Sequence, residues 1–145
     1  MTGPENPARR SRWLRAVGYG LLAEIATIIT IILIVLVYRS MIMPGLTDAD
    51  YAAFGQLVGG IVGVVGGALY TFLLARLLMG AIGARFVAHG VVVAVTAIAF
   101  SIAGSIAGHH GVPAAYLLAS ALKLAAGALA GFLYSRSISL NRNVV

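Results

Sequence analysis

The sequence contains no cysteine among its 145 residues. The chain therefore has no disulfide framework, no thiolate nucleophile and no cysteine-based metal site. Familiar catalytic signatures are also missing, since there is no His-x-x-Glu-His, no Gly-x-Ser-x-Gly and no phosphate-binding loop. We therefore expect a protein that is not an enzyme and that binds neither a cofactor nor a metal ion. The adjacent His109 and His110 are expected to lie in a solvated loop.

Charged residues are scarce as well. They make up 10% of the chain, against 61% hydrophobic residues, whereas a soluble domain has about 25% charged and about 45–50% apolar residues. A soluble fold of this size has too much surface to cover with so few charges, while lipid can solvate an apolar surface. The composition predicts an integral membrane protein in contact with the lipid bilayer, which we place in the bacterial cytoplasmic (inner) membrane.

Four apolar runs are long enough to cross a hydrocarbon core of roughly 30 Å, which takes about 20 helical residues. We predict spans at about 16–38, 48–79, 86–108 and 113–134, between a basic, disordered tail at 1–15 and a polar tail at 135–145. The second span is expected to begin at a capping box formed by Thr47 and Asp50. The predicted fold class is all-α, an up-down bundle of four transmembrane helices with short loops.

Basic residues are distributed unevenly between the two ends of this bundle. Only Arg39 lies on the side away from the N-terminus, and the side of the N-terminus holds Arg9, Arg10, Arg12, Arg15, Arg76, Arg85, Arg136 and Arg142. By the positive-inside rule, both termini are cytoplasmic (N-in, C-in). A net charge of +6 is also found in nucleic-acid-binding proteins, but these cluster their basic residues on one folded face. We therefore expect no nucleic-acid partner.

Small residues recur at helical spacing in the spans. In a bilayer, helices associate through close backbone contact, which small residues allow. The pattern therefore predicts tight helix packing, within the bundle, in a homo-oligomer or against a larger membrane protein, with a glycine-lined pore as the alternative. The residues assigned to packing are Gly20, Gly55, Gly59, Gly63, Gly67, Gly104, Gly108, Gly127 and Gly131.

Glu24 and Lys123 are the formally charged residues well inside the predicted spans, and Lys123 is the only lysine. A charge near the bilayer centre costs about 2.5–3.5 kcal/mol on insertion scales, so such residues form pairs or serve a function. Both residues lie near mid-depth, within about one helical turn of each other, which predicts a buried ion pair. If the first and fourth spans touch, Gly20 and Gly127 let their backbones approach beside the pair.

The pair allows two interpretations. In the first it is structural and fixes helix partners in a small accessory or assembly protein. In the second it is a proton site in a proton-coupled small-solute transporter, which acts as a homodimer because one protomer is too small to enclose a pathway. Four short spans with a lone glutamate in the first resemble the layout of the small multidrug-resistance transporters, although the aromatic residues around that glutamate are not matched here and Lys123 departs from that pattern.

Weaker polar groups in the spans are expected to form hydrogen bonds between helices. They are Thr27, Thr30, Gln56, Tyr70, Thr96, Ser101 and Ser120.

Overall fold

A computed structural model of the chain describes residues 7–107 and 114–142, and it describes the side chains of 12–107 and 116–140. Its helices are α1 (Pro7–Val37), α2 (Asp48–Ile61), α3 (Gly67–Met79), α4 (Phe86–Ala107) and α5 (Ala114–Arg142). A π-helical turn at Tyr38–Ile42 extends α1, and another at Val62–Gly66 joins α2 to α3 in one long helix. Four helices are long and apolar enough to cross a membrane. The prediction of an all-α fold with four such helices is confirmed for the described residues.

Helices α1 and α5 extend beyond the predicted spans. Residues 7–15, which we expected to be part of a disordered tail, form the first turns of α1, and residues 135–142 continue α5. Arginine has a high helix propensity, and Pro7 suits a first turn because its missing N–H costs no hydrogen bond there. The Trp13 ring also stacks on the His89 ring, with centroids 4.1 Å apart, and this contact attaches the first turns of α1 to α4.

Helix α2 begins at the predicted capping box. The Thr47 hydroxyl accepts a hydrogen bond from the Asp50 backbone N–H at 3.3 Å, and the Asp50 carboxylate accepts one from the Thr47 backbone N–H at 3.1 Å. This exchange satisfies two N–H groups that a helix start would otherwise leave unpaired. An exposed ion pair between Arg39 and Asp48, at 3.3 Å, lies at the same end of the bundle. We call this end the Asp48 end.

The four spans do not pack in the order of the sequence. Helix α1 packs against α4 and against the long α2–α3 helix, and α5 packs against α4 and α3. Within the described residues, α1 and α5 have very few close backbone approaches, so the first and fourth spans occupy opposite corners of the bundle. The condition that the backbones of these two spans touch is therefore not met. The neighbour that they share on one side is α4.

Glycines allow α4 to approach both of these helices closely. A Cβ atom added at Gly127 would clash with the carbonyl oxygen of Gly90, and one added at Gly90 would clash with that of Gly127. A Cβ at Gly131 would lie 2.6 Å from the backbone of α4, and one at Gly20 would lie 2.7 Å from Thr96 Cβ. Gly20 and Gly127 therefore both lie against α4 and do not face each other. Gly90 was not among the residues that we assigned to packing.

The glycine row of the second span is divided between two surfaces. Gly67 is buried, and a Cβ there would lie 2.7 Å from Lys123 Cε, whereas Gly59 and Gly63 have no heavy atom within 4 Å of a Cβ position. Each four-residue step turns roughly 40° beyond a full turn on a regular helix, and the π-helical turn shifts the phase again, so the row cannot stay on one face. Packing of Gly59 and Gly63 against another chain stays a prediction. The remaining positions are open (Gly104), in ordinary contact with Val35 (Gly55), or outside the described residues (Gly108, His109, His110).

Candidate functional site

Glu24 and Lys123 meet inside the bundle. Lys123 Nζ donates to Glu24 Oε2 at 2.5 Å, and the two residues are only 3% and 5% exposed. Because Glu24 lies on α1 and Lys123 lies on α5, the ion pair connects opposite corners of the bundle. The long Lys stem makes this connection possible without contact between the two backbones.

Ser101 of α4 bonds to both charged groups. Its hydroxyl donates to Glu24 Oε1 at 2.5 Å and accepts from Lys123 Nζ at 3.4 Å. A hydroxyl has one donor and two lone pairs, so it can serve the carboxylate and the ammonium at the same time. Each oxygen of the Glu24 carboxylate therefore has a donor, and this matters because a buried charge without partners is strongly destabilising.

Gly67 of α3 provides the room for the lysine. A Cβ at this position would lie 2.7 Å from Lys123 Cε and 3.8 Å from Thr27 Oγ1. The Thr27 hydroxyl itself donates back to the backbone of α1 at 2.8 Å. All four spans thus contribute to one site, which we call the charge cluster and define as Glu24, Gly67, Ser101 and Lys123.

The charge cluster lies between two groups of aromatic side chains. Tyr38 and Phe54 stack at the Asp48 end, with ring centroids 3.7 Å apart, and Trp13 and Tyr134 lie at the other end. At 1.5 Å per residue, Glu24 is about 16 Å from Trp13 and about 21 Å from Tyr38 along α1. Aromatic rings favour the two interfaces of a membrane, and the charge cluster lies between these two aromatic groups.

Comparison with known proteins does not assign this site. No family model, no curated protein sequence and no solved structure matches the chain. Among residues 7–107 and 114–142, no three His, Cys, Asp or Glu side chains are grouped as metal ligands would be.

We expect Ser101→Ala to lower the free energy of unfolding by about 1.5–3 kcal/mol, because it leaves one oxygen of a buried carboxylate without a donor. Tyr70→Phe is the matched control, since it removes a neutral hydrogen bond to Thr30, 2.8 Å long, that also joins two spans. That loss should be only about 0.6 kcal/mol. Titration of the purified protein from mild detergent into a denaturing one measures both, and equal losses would contradict the role given to Ser101.

Proposed function

We propose that this chain is a small, non-enzymatic integral membrane protein, an accessory or assembly protein that packs against a second copy of itself or against a larger membrane protein. In this proposal the charge cluster is structural, because it determines which helices are neighbours. The observation that carries the proposal is that both charged groups are already bonded within the bundle, to each other and to Ser101. Neither group is left free to take up a substrate ion.

The place of action that we propose is the bacterial cytoplasmic (inner) membrane, with both termini in the cytoplasm. In support, large apolar side chains face outward, and Leu57, Leu77 and Leu117 are each more than 60% exposed. Lipid can cover such a surface, whereas water cannot do so without cost. Arginines support the orientation, since Arg39 is the one at the Asp48 end and the others lie toward the opposite end, where the positive-inside rule expects them on the cytoplasmic side.

Homo-oligomer formation can be tested cleanly because the chain contains no cysteine. One introduced cysteine is then the only cross-linking site. Gly59→Cys places a thiol on α2, where a Cβ is unobstructed, and Leu117→Cys is the control on α5, at a residue that is 72% exposed. We expect disulfide-linked dimers in membranes from Gly59→Cys in clear excess over Leu117→Cys. Weak and equal cross-linking that falls as lipid is added would contradict a specific homo-oligomer.

The alternative is a proton-coupled small-solute transporter that acts as a homodimer. One feature favours it, because the π-helical turn Val62–Gly66 directly precedes Gly67 of the charge cluster, and π-helical turns often occur at functional sites. The two functions differ in their dependence on Glu24. Proton flux into proteoliposomes that is lost in Glu24→Gln would favour transport. The assembly role predicts no such flux. It also predicts that the Gly59→Cys chain still forms cross-linked dimers when Glu24→Gln and Lys123→Met are both introduced into it.

A further inference from the structure

The end of the bundle opposite the Asp48 end leaves two buried nitrogen atoms without partners. Among the described residues, Nη1 of Arg76 and Nε2 of His89 are buried side-chain atoms that make no hydrogen bond. Both side chains are held in place, since the Arg76 guanidinium lies over the Tyr134 ring at 4.9 Å and His89 Nδ1 donates to the Arg85 carbonyl oxygen at 3.0 Å. We call this end the Arg76 end.

Arg76 also lacks a carboxylate partner among the described residues. The acidic side chains of the chain are Glu5, which lies outside them, Glu24, which is bonded to Lys123, and Asp48 and Asp50, which begin α2 at the other end. Contact with an aromatic ring offsets part of the cost of burying a cation, but it supplies no lone-pair acceptor for the N–H groups. Further arginines lie at the same end of the bundle, and Arg12 Nη1 is 4.0 Å from a Cβ position at Gly83 in the α3–α4 turn. The Arg76 end thus attracts anions.

The depth of Arg76 indicates where the anion comes from. Along α3, Arg76 lies nine residues beyond Gly67 of the charge cluster, which is about 13–14 Å at 1.5 Å per residue. Half of a hydrocarbon core is about 15 Å thick. With the charge cluster at mid-depth, the backbone of Arg76 is therefore level with the boundary between the acyl chains and the phosphate groups of the lipids, within reach of its guanidinium.

We propose that Arg76 binds a phosphate group, and that an anionic phospholipid of the membrane supplies it. The planar guanidinium presents a fork of N–H donors that matches two phosphate oxygens. Tyr134 holds the guanidinium in place without accepting its N–H groups, and Arg76 is half-buried, so a phosphate that approaches from outside supplies acceptors that the described residues do not. This inference rests on the placement of the protein in a membrane and does not depend on the assembly role.

Lipid binding to the purified full chain in an uncharged detergent tests the inference. Native mass spectrometry gives the apparent Kd for phosphatidylglycerol, for phosphatidylcholine and for inorganic phosphate. We expect phosphatidylglycerol to bind about tenfold more weakly to Arg76→Gln than to the wild type, as the loss of a charge-assisted hydrogen bond predicts. Arg136→Gln is the matched control, since it removes an exposed arginine near the same end and should change the Kd by less than about twofold.

Comparison of the three ligands shows whether a lipid headgroup or a free phosphate ion occupies the site. Binding of phosphatidylglycerol alone supports a lipid headgroup, and Arg76-dependent binding of inorganic phosphate that displaces the lipid supports a free phosphate at the same site. Equal affinity of the wild type for phosphatidylglycerol and phosphatidylcholine, or equal losses in Arg76→Gln and Arg136→Gln, would overturn the inference. Increased lipid binding in Glu5→Gln would do so as well, because it would indicate a counter-ion within the chain.

A second variant covers the case in which Arg76→Gln does not fold. Arg76→Lys keeps the charge and loses the fork, and we expect it to bind phosphatidylglycerol severalfold more weakly than the wild type. Wild-type affinity in a folded Arg76→Lys would contradict bidentate binding. Cross-linking of the Gly59→Cys chain is measured separately, so failure of the lipid site and failure of the assembly role are distinguishable.

Discussion

Replacing Lys123 by methionine lowers the free energy of unfolding by about 3–5 kcal/mol, the usual cost of leaving one partner of a buried ion pair uncompensated. The reason lies in the surroundings of Glu24. Glu24 is 5% exposed, and without the ammonium the Ser101 hydroxyl is the one donor to its carboxylate among the described residues. Methionine fills nearly the same space beside Gly67, so lost packing contributes little to the effect.

Combining Lys123→Met with Glu24→Gln restores much of this loss. No charge remains in the charge cluster of the double variant, and we expect it to be more stable than either single variant. Unfolding in mixed detergent micelles gives the free energy of unfolding of the wild type, the two single variants and the double variant, which completes a double-mutant cycle. The matched control is the exposed pair of Arg39 and Asp48 at the Asp48 end, whose side chains are 58% and 88% exposed and whose coupling should be below about 1 kcal/mol. Additive losses at Glu24 and Lys123 would mean that the two side chains do not interact.

Gly127→Ala should lower the free energy of unfolding by about 3 kcal/mol, the upper part of the range for overpacking. The new methyl group would clash with the carbonyl oxygen of Gly90 and lie 3.1 Å from the Ala94 Cβ. A carbonyl in a helix cannot turn aside without breaking its own hydrogen bond. Relief therefore requires α4 and α5 to separate, and that would disturb the helix that carries Ser101.

Gly63→Ala is the control for this prediction. It adds the same methyl group to the interior of another span, at a position where nothing lies within 4 Å. We expect no loss of stability in the monomer, because nothing obstructs the new methyl group. Thermal unfolding of the two variants in the same detergent separates them. A loss at Gly63 as large as that at Gly127 would contradict the helix arrangement.

The four-helix fold follows from the sequence because the length and apolarity of a span are properties of one segment alone. The approach of Glu24 and Lys123 follows in the same way, since depth depends only on the rise per residue. Which helices pack side by side depends on the fit between their surfaces. Nothing in the sequence around Gly90 and Gly127 indicates that these two residues contact each other. The sequence therefore leaves open whether the first and fourth spans touch, and in the structure α3 and α4 lie between their backbones.

The hydrogen bonds of Ser101 to the ion pair could not be predicted from depths calculated with the rise per residue. The midpoints of the predicted spans place Ser101 and Glu24 about 10 Å apart in depth, yet their side chains are hydrogen bonded at 2.5 Å. Helix α4 is shifted along the bundle axis relative to α1, and a single sequence contains no measure of such a shift. Gly67 was noted for its place in the glycine row, but its contact with Lys123 depends on the π-helical turn before it.

The buried pair can be measured directly in a lipid bilayer. Lys123 is the only lysine, and Glu5 and Glu24 are the only glutamates, so 15N-lysine and 13C-glutamate labelling gives one ammonium nitrogen and two side-chain carboxyl carbons. Solid-state NMR dipolar recoupling should place the Lys123 nitrogen within about 4 Å of one carboxyl carbon, as a charge-assisted hydrogen bond requires. Glu24→Gln should leave no carboxylate carbon at that distance. Dephasing that shows no carboxyl carbon within about 6 Å in the wild type would contradict the pair and the role given to it.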